Sequence, residues 1–366
     1  MPAVLADPIV VPAPVPAMAE PVVPFVDDPR VHAPHELASL QAAATRLAPR
    51  LGRAAPGVAQ ATYWLPVRTL LQQEAERLGI VDEAGFWGGV VPHAFVGTKL
   101  VSHPCWPGAQ PPAGWRDVPG VQAHTLPGWS VFSREDAVAA CAGLLPGGPV
   151  RAKSPYARGG NGQAVITSLD QARQRFAAPS AAGIEHGLVV ERDLVESATY
   201  GVGMARVGAH VIAYHGTQRS VLDHRGERVY GGSRLTVHRG TLAQLRQALP
   251  PGEAREAVAA AMGYDQAVRG AYPVLASRCN YDVIVGHARD GRRHCGVLEQ
   301  SWRFGGASMA EVLAMERFAR EPALAWVVAE TVERYDHQPP PADAVLLWPG
   351  DAHSPCKYAR IVADGC

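Results

Sequence analysis

The sequence predicts a fold of mixed helices and strands, with an α/β segment at the start and α+β lobes after it. Strand and helix patterns alternate in the first part of the chain, whereas hairpin patterns cluster in the later part. The 366 residues are enough for two or three domains, and 47% apolar with 19% charged residues is a globular composition. The 37 glycines and 32 prolines imply many loops and short elements.

The first part of the chain is predicted to begin with a Pro-rich disordered tail over residues 1–22. An N-terminal α/β domain is expected to follow at residues 23–96. Its predicted elements are a strand at 22–27, a helix at 36–49, an extended segment at 63–66 and a helix at 68–79 that is closed by a glycine.

The rest of the chain carries helix caps and strand patterns. Ser133 with Asp136, and Ser308 with Glu311, have the spacing of capping boxes, and Ser168 has the position of an N-cap. Loops are predicted at 104–119 and from 339 onward, where the chain ends in a short segment at 357–362. The other predicted elements are strands at 148–153, 163–167 and 187–192, β patterns to about 237, helices at 241–249 and 253–270, and a hairpin at 278–303.

Composition argues against several classes of function. The 34 basic and 34 acidic residues give a formal net charge of zero, whereas binders of nucleic acid or membrane surfaces need a basic excess. No apolar run is long enough to span a membrane. The six cysteines form no CxxC motif and are typical of free thiols in a reducing compartment. We therefore expect a cytoplasmic protein that binds neither nucleic acid nor membranes.

Two residue types are unusually scarce. Of the 34 basic residues only Lys99, Lys153 and Lys357 are lysines, and the only asparagines are Asn161 and Asn280. A GC-rich genome explains this scarcity, because it disfavours the codons of both residues. Lysine is then expected to persist where a compact ammonium is required, as at a phosphate. The surviving lysines and asparagines are therefore candidate site residues.

The predicted hairpin at 278–303 has a strong two-residue turn signal at Asp290-Gly291. With these two residues as its loop, one face of the ribbon carries three opposed pairs, which are Asp282–Glu299, Asn280–Ser301 and Arg278–Arg303. The other face is a plausible core side, with Tyr281, Val283, Leu298 and Trp302.

Two like-charged pairs would then lie in succession on one face. The Cβ atoms of opposed residues are about 4.5–5.5 Å apart, so like charges there are destabilising. A divalent cation on Asp282 and Glu299 would relieve the first pair, since oxygen ligands suit Mg²⁺. An anionic substrate on Arg278 and Arg303 would relieve the second pair. The alternative is a solvated face whose charges pair diagonally, and the ribbon alone favours neither reading.

A Gly-rich loop follows the second lysine. Lys153 ends an apolar strand, and Gly159, Gly160, Asn161 and Gly162 precede the next strand. Such glycines let backbone N–H groups close on phosphate oxygens, although an ordinary turn has the same composition. No Gly-Lys-Ser/Thr follows, so the loop is not a Walker loop.

A second segment of interest is the strand at 187–192, which turns acidic at Glu191. Residues Glu191, Arg192 and Leu194 could present backbone groups to an adenine and a carboxylate to its amino group or to a ribose. An ordinary charged strand end is the alternative.

The order of these parts resembles the ATP-grasp superfamily from about Lys99 to Arg303. The resemblance implies an ATP-grasp fold, in which two α+β lobes hold ATP, after an α/β pre-ATP-grasp segment. The small lobe, with the Gly-rich loop, would span 97–190, and the large lobe, with the metal-binding hairpin and C-terminal tail, would span 191–366. The strings PHAFVGTK, KSPYARGGNGQ and LEQSWRFGGAS also resemble a bacterial family of unknown function grouped with ATP-grasp proteins.

The nucleotide site implied by the resemblance has two phosphate lysines and an adenine hinge. Lys99 and Lys153 resemble the lysines, and residues 159–162 resemble the flexible loop. Residues 191–194 resemble the hinge that receives adenine, and Glu196 is the nearest candidate for the carboxylate that binds the ribose.

The implied metal site lies on the hairpin. Asp282 and Glu299 match the two acidic ligands of Mg²⁺, with Mn²⁺ as the alternative metal, and Arg303 matches the arginine of an E-x-N-x-R pattern. Ser301 stands where that pattern has a metal-binding asparagine, and a hydroxyl is a weaker ligand. Arg303, with Arg278, would stabilise an oxyanion.

The resemblance implies an ATP- and Mg²⁺-dependent ligase that activates a carboxylate as an acylphosphate for attack by an amine or thiol. The partners would be small-molecule carboxylates and amines, and dimers are common among the proteins it resembles. Two alternatives stay open. One is a small-molecule kinase, and the other, suggested by Ser301, is a nucleotide-binding protein without turnover.

Overall fold

A computed structural model of the chain describes residues 21–50, 62–156, 162–178, 183–336, 338–351 and 353–366. The predicted disordered tail lies outside these residues except for its last two positions. Gly159, Gly160 and Asn161 of the Gly-rich loop also lie outside them. The described residues form a mixed α+β structure, which confirms the predicted class.

The strands account for most of the architecture. In chain order they are β1 (Val22–Phe25), β2 (Tyr63–Pro66), β3 (Leu70–Leu71), β4 (Gly89–Val91), β5 (Gly128–Val131), β6 (Val150–Lys153), β7 (Gln163–Ile166), β8 (Leu188–Arg192), β9 (Glu196–Val207), β10 (His210–Leu222), β11 (Arg228–Arg239), β12 (Leu275–Ala276), β13 (Arg278–His287), β14 (Arg293–Ser301), β15 (Trp326–Arg334), β16 (Val345–Trp348) and β17 (Cys356–Gly365).

Helices form where the sequence carries caps and apolar faces. The hydroxyls of Ser133 and Ser168 each accept a hydrogen bond from the backbone N–H three residues later, at 3.0 and 3.2 Å, as predicted for N-caps. No helix among the described residues is both long enough and apolar enough to cross a membrane. The helices are α1 (Pro34–Leu47), α2 (Gln72–Arg77), α3 (Arg134–Leu144), α4 (Leu169–Ala177), α5 (Leu242–Ala248), α6 (Glu253–Ala271) and α7 (Ser308–Arg320).

Two helix starts differ from prediction. The helix expected from residue 68 begins only at Gln72, because Leu70 and Leu71 pair with β4. The expected capping box at Ser308 is wrong. The hydroxyl of Ser308 accepts a hydrogen bond from the N–H of Gly305 at 3.0 Å, and the carboxylate of Glu311 forms a buried ion pair with Arg278.

The large antiparallel sheet of the described chain has the order β14-β13-β9-β10-β11-β15-β17-β16. A smaller antiparallel sheet, β5-β8-β6-β7, packs against α3 and α4 and forms the second lobe. The N-terminal segment contributes the parallel pair β1-β2 and the strands β3 and β4, and β12 from the large lobe completes the sheet β12-β4-β3. These two α+β lobes after an N-terminal segment are the arrangement that the sequence motifs imply.

The C-terminal residues are not the predicted loop. β16 and β17 extend the large sheet beside β15, and β17 places Lys357 directly opposite Glu333. The partner strand β15 lies more than twenty residues earlier in the chain. A pairing between segments this far apart leaves little signal in the local sequence, which here follows the prolines at 339–341.

Two apolar clusters cover the two faces of the large sheet. On one face, α5 and α6 pack against Tyr281 and Val283. On the other, α1 and α7 pack against Tyr214 and Leu235. Side chains alternate along a strand, so Asp282 lies on the second face, beside the area that α7 covers. The polar residues of the ribbon therefore look onto the space between the two lobes.

Candidate functional site

A cleft of about 800 Å³ opens between the two lobes and reaches the first turn of α1. It is walled by the four-stranded sheet, by the large sheet, and by the segment 303–307 that leads into α7. Most of the predicted site residues line it, namely Lys153, Glu191, Arg192, Leu194, Arg278, Asp282, Glu299, Ser301 and Arg303. Residues that are far apart in sequence therefore meet at one site.

The hairpin has the predicted pairing at the site. Asp282 lies opposite Glu299, and Asn280 lies opposite Ser301. All four side chains face the cleft. The predicted like-charged acidic pair therefore exists and faces a cavity between lobes instead of open solvent.

The reason for this pairing differs from the prediction. The loop is not the two-residue turn but a three-residue one, since the N–H of Ala288 donates to the carbonyl of Arg292 at 2.9 Å and Gly291 takes φ +80°. This loop would shift every later pair by one residue. A bulge at Leu298 removes the shift before the ribbon reaches the site.

The bulge also changes the face of one residue. Tyr281, Val283 and Trp302 lie in the core, as expected. Leu298 was predicted to join them, but it lines the cleft, because a bulge puts two successive residues of one strand opposite a single partner.

The acidic pair is held under electrostatic strain. The amides of Gln218 and Asn280 donate to Oδ1 of Asp282 at 2.9 and 3.2 Å. Burial, followed by the nearby Glu299 carboxylate, nevertheless raises the pKa of Asp282 to about 7. Near neutral pH Asp282 is therefore partly protonated, and a cation bound between the two carboxylates would compete with that proton.

The residues present fit a Mg²⁺ ion. Mg²⁺ in nucleotide enzymes is usually held by one or two carboxylates together with substrate phosphates. Asp282 and Glu299 supply two carboxylates, and Ser301 and Asn280 add neutral oxygens at the same end of the ribbon. Within the described ranges no group of three or more His, Cys, Asp or Glu could hold a metal ion. The pair thus suits a metal that arrives with a phosphate ligand.

Asp282→Asn is expected to raise the free energy of unfolding at pH 8 by about 1–2 kcal/mol. Each unit by which the pKa of Asp282 in the folded protein exceeds that in the unfolded chain costs at most about 1.4 kcal/mol of stability at high pH. Solvent in the cleft reduces this cost. The folded protein keeps the Asp282 proton up to about pH 7, whereas an unfolded chain loses it near about pH 4. The contribution of this carboxyl to stability is therefore present at low pH and is lost as the pH rises through 7.

Urea denaturation of both proteins from pH 4 to pH 8 checks this prediction. The difference between variant and parent should grow with pH and be small at pH 4. A difference that does not change with pH would show that the acidic pair is not strained.

Lys99 joins the two lobes at the acidic pair. It begins a short 3₁₀ turn, Lys99–Ser102, which is anchored on β14 because the amide of Gln300 donates to the carbonyls of residues 96 and 98. The Nζ atom of Lys99 lies 2.7 Å from Oε2 of Glu299 and 3.3 Å from the carbonyl oxygen of Ser154. The first rare lysine is thus buried beside the predicted metal ligands.

Lys153 belongs to a buried three-residue network. Its Nζ atom lies 2.5 Å from Oε1 of Glu191, and Nε2 of His103 lies 2.9 Å from the other oxygen. We assign the His103 proton to Nε2, because a carboxylate only accepts. Burial opposes the charge of Glu191, but Lys153 and His103 outweigh it and hold the pKa of Glu191 below its usual value. No pattern in the sequence predicted that His103 binds Glu191 in this network.

This network corrects the role expected of Glu191. The carboxylate is 1% exposed and both oxygens are occupied, so it orients Lys153 instead of presenting a free acceptor to adenine. Arg192 is also occupied, since its NH1 donates to the carbonyl of Gly148 at 3.0 Å.

The hinge is instead apolar where it meets the cleft. Leu194 packs with Leu126, Ile284 and Leu298, and all four line the cavity. A patch of aliphatic side chains next to two lysines suits a planar base attached to phosphates. Sequence reasoning found only Leu194, because the other three look like ordinary core residues.

Two other predicted nucleotide residues are placed differently. Glu196 does not line the cleft. Its neighbours Ser197 and Thr199 do, so Glu196 lies on the opposite face of β9 and is not brought together with the other predicted nucleotide residues. Gly162 has φ +64°, and its carbonyl accepts from the N–H of Ser154 at 2.9 Å, which closes the base of the Gly-rich loop.

Arg278 is a structural residue and not the predicted oxyanion ligand. Its guanidinium is buried and binds Glu311 through two hydrogen bonds, at 3.1 and 2.6 Å. It also donates to the carbonyls of Ser301 and Arg303, both at 2.8 Å, and to the hydroxyl of Tyr214 at 3.3 Å. An arginine has five N–H donors, and all five are used within the protein.

Arg303 lies at the mouth of the cleft, half-buried, with NH1 donating to the carbonyl of Phe304 at 2.9 Å. The predicted pairing of Arg303 with Arg278 across the ribbon is wrong, because β14 ends at Ser301 and the buried guanidinium binds the backbone that follows. The two arginines therefore form no like-charged couple.

A family model described as "Protein of unknown function (DUF3182)" matches residues 25–360. The chain belongs to the DUF3182 family. Among curated proteins no match was found. The matched range includes the three lysines and both carboxylates of the acidic pair, so the site described above lies within the region that defines the DUF3182 family.

Solved structures similar to this DUF3182 chain are ATP-grasp enzymes. A phosphoribosylamine–glycine ligase from Thermotoga maritima is 12% identical and has a TM-score of 0.49, covering 90% of this chain and 88% of that one. A biotin carboxylase from Campylobacter jejuni (10%, TM-score 0.40) covers 65% and 59%. An N5-carboxyaminoimidazole synthetase from Staphylococcus aureus (11%, TM-score 0.38) covers 65% and 63%. This chain thus spans less than two thirds of the latter two.

Proposed function

We propose that this chain is an ATP- and Mg²⁺-dependent ligase that activates a substrate carboxylate as an acylphosphate for attack by an amine or a similar nucleophile. The observation that carries the proposal is the meeting of two rare lysines and two opposed carboxylates at one cleft. Lys99 contacts Glu299, and Lys153 enters the same cavity from the other lobe. Cations and a metal-binding carboxylate pair are what a polyphosphate requires.

The residues of the cleft divide into a base end and a phosphate end. The aliphatic patch around Leu194 would hold the base of ATP. Lys99 and Lys153 would neutralise its phosphates. Mg²⁺ on Asp282 and Glu299 would supply further neutralisation of phosphate charge.

The chemistry needs no nucleophile from the protein. An oxygen of the substrate carboxylate attacks the γ-phosphorus, an O–P bond forms, and the bond to the β-phosphate oxygen breaks to release ADP. The amine then adds to the acyl carbon, and its proton passes to solvent as phosphate leaves with the C–O electron pair. Arg303, at the mouth of the cleft, would stabilise the oxyanion that develops on the acyl oxygen.

Product analysis tests the proposal. The protein is incubated with Mg²⁺ and ATP over a pool of carboxylic acids and amines, and ADP and free phosphate are measured separately. Equal amounts of ADP and phosphate that require both an acid and an amine are expected. ADP without free phosphate would identify a kinase, and ATP binding without ADP would identify a nucleotide-binding protein. The homodimer and the cytoplasmic location stay predictions.

A further inference from the structure

The end of the cleft remote from the nucleotide residues holds a second group of charged side chains. We call His35, Arg228, Glu333 and Lys357, all of which line the cavity, the distal cluster. Lys357 and Glu333 are cross-strand partners on β17 and β15, and Nζ lies 2.9 Å from Oε1. Their side chains are only 5% and 9% exposed. The third rare lysine is thus buried in the cleft that Lys153 also lines.

The distal cluster has more hydrogen-bond donors than acceptors. The Lys357 ammonium has three N–H donors, and Glu333 is its one ion-pair partner among the described residues. Nε2 of His35 lies 3.9 Å from the other oxygen of Glu333, and its buried Nδ1 has no hydrogen-bond partner within the described chain. Buried polar groups are normally satisfied, so the remaining N–H donors of Lys357, which lines the cavity, lack a partner that a ligand could supply.

The charge around these donors favours an anion. Arg219 and Glu36 line the same cavity as the distal cluster, so Arg219, Arg228 and Lys357 are counted against Glu36 and Glu333. With the histidines neutral, this count leaves one positive charge in excess. An oxyanion brings acceptors to the unsatisfied donors and balances that charge.

The position of the distal cluster limits the shape of such a ligand. In the order of the large sheet, β17 lies five positions from β13, which carries Asp282, and neighbouring strands are about 4.8 Å apart. Tyr230, on the intervening strand β11, lines the cavity between the two ends. A molecule that reaches from Asp282 to Lys357 must therefore be extended.

We infer that the distal cluster is the subsite for a second oxyanion, a carboxylate or a phosphate, on an elongated substrate whose other end carries the carboxylate to be activated. This inference rests on the proposed function for the activated end. The recognition of the distal oxyanion by Lys357, Arg228 and His35 is independent of it.

The scarcity of lysine makes a direct test feasible. Protein labelled with [ζ-¹⁵N, ε-¹³C]lysine gives three side-chain signals, and Lys99→Arg, Lys153→Arg and Lys357→Arg assign them by loss of one signal each. The labelled protein is then titrated in parallel with Mg–ATP, inorganic phosphate, acetate and sebacate. Sodium chloride at matched ionic strength is the control.

The expected result is a saturable shift of the Lys357 signal with sebacate or inorganic phosphate. The anion that saturates the shift at the lower concentration identifies carboxylate or phosphate as the preferred group. Arg228→Gln should weaken this binding severalfold. Arg225→Gln, at an exposed turn outside the cavity, should leave it unchanged. A Lys357 signal that follows sodium chloride, or that none of the anions shifts, would overturn the inference. Mg–ATP is read at Lys99 and Lys153, so failure of the proposed nucleotide site is seen separately.

Discussion

Glu299→Gln is expected to lower Mg²⁺-dependent ADP formation by about 10²–10³-fold, the usual effect of removing one preorganised electrostatic group from a site. The amide keeps the shape of the side chain but loses the charge that faces Asp282 and binds Lys99. Under the proposed function two contributions would be lost together, because Mg²⁺ would lose a ligand and the Lys99 ammonium would lose its partner. The measurement is the initial rate of ADP release at saturating ATP and Mg²⁺.

Glu330→Gln is the matched control. Glu330 is a buried carboxylate on the same sheet that pairs with Arg360 at 2.8 Å but does not line the cleft. Its turnover should stay within about twofold of the parent, since surface and remote substitutions rarely reach the chemistry. A Glu299→Gln protein with nearly unchanged turnover, or an equal loss in both variants, would remove the acidic pair from the catalytic site.

Glu311→Gln is expected to lower the free energy of unfolding by about 3–5 kcal/mol, the typical cost of breaking a buried ion pair from one side. The Glu311 carboxylate is fully buried and accepts two hydrogen bonds from Arg278, and Oε1 also accepts from Tyr214 at 2.7 Å. Without its charge, the buried guanidinium has no counter-ion. Urea denaturation at pH 7 measures the loss.

Two further proteins make this prediction specific. Glu321→Gln removes the carboxylate of an exposed pair with Arg317 just beyond the same helix, and it should cost less than about 1 kcal/mol. The double variant Arg278→Met with Glu311→Leu removes both charges, and it should be more stable than Glu311→Gln alone. A loss below about 1 kcal/mol for Glu311→Gln would show that the guanidinium is neutralised by other groups.

The sequence predicted the ribbon and its residues because their signals are local. A turn signal at residues 290–291 and period-2 alternation predicted that Asp282 lies opposite Glu299 on one ribbon face, and the scarcity of lysine singled out residues that all prove to be buried. The predicted pairing was correct although the loop was not, because a longer loop and a bulge at Leu298 cancel.

The remainder depends on contacts between distant segments. Arg278 looked like a free cation because its partner Glu311 lies on a helix 33 residues later, at a spacing that also matches a capping box. Glu191 looked like a ligand for adenine because its two partners, Lys153 and His103, come from other elements. A charged residue alone in sequence carries no information about which opposite charge it will meet, so these roles could not be read from the chain.

The burial of every lysine has a practical consequence for chemical modification. Lys99, Lys153 and Lys357 are 4%, 3% and 4% exposed, and all other basic side chains are arginine or histidine. Amine-directed acylating reagents can therefore react only with the chain's amino terminus and with these three buried lysines. The extent of acylation at each lysine, read by mass spectrometry, therefore reports how often that buried ammonium becomes accessible to solvent.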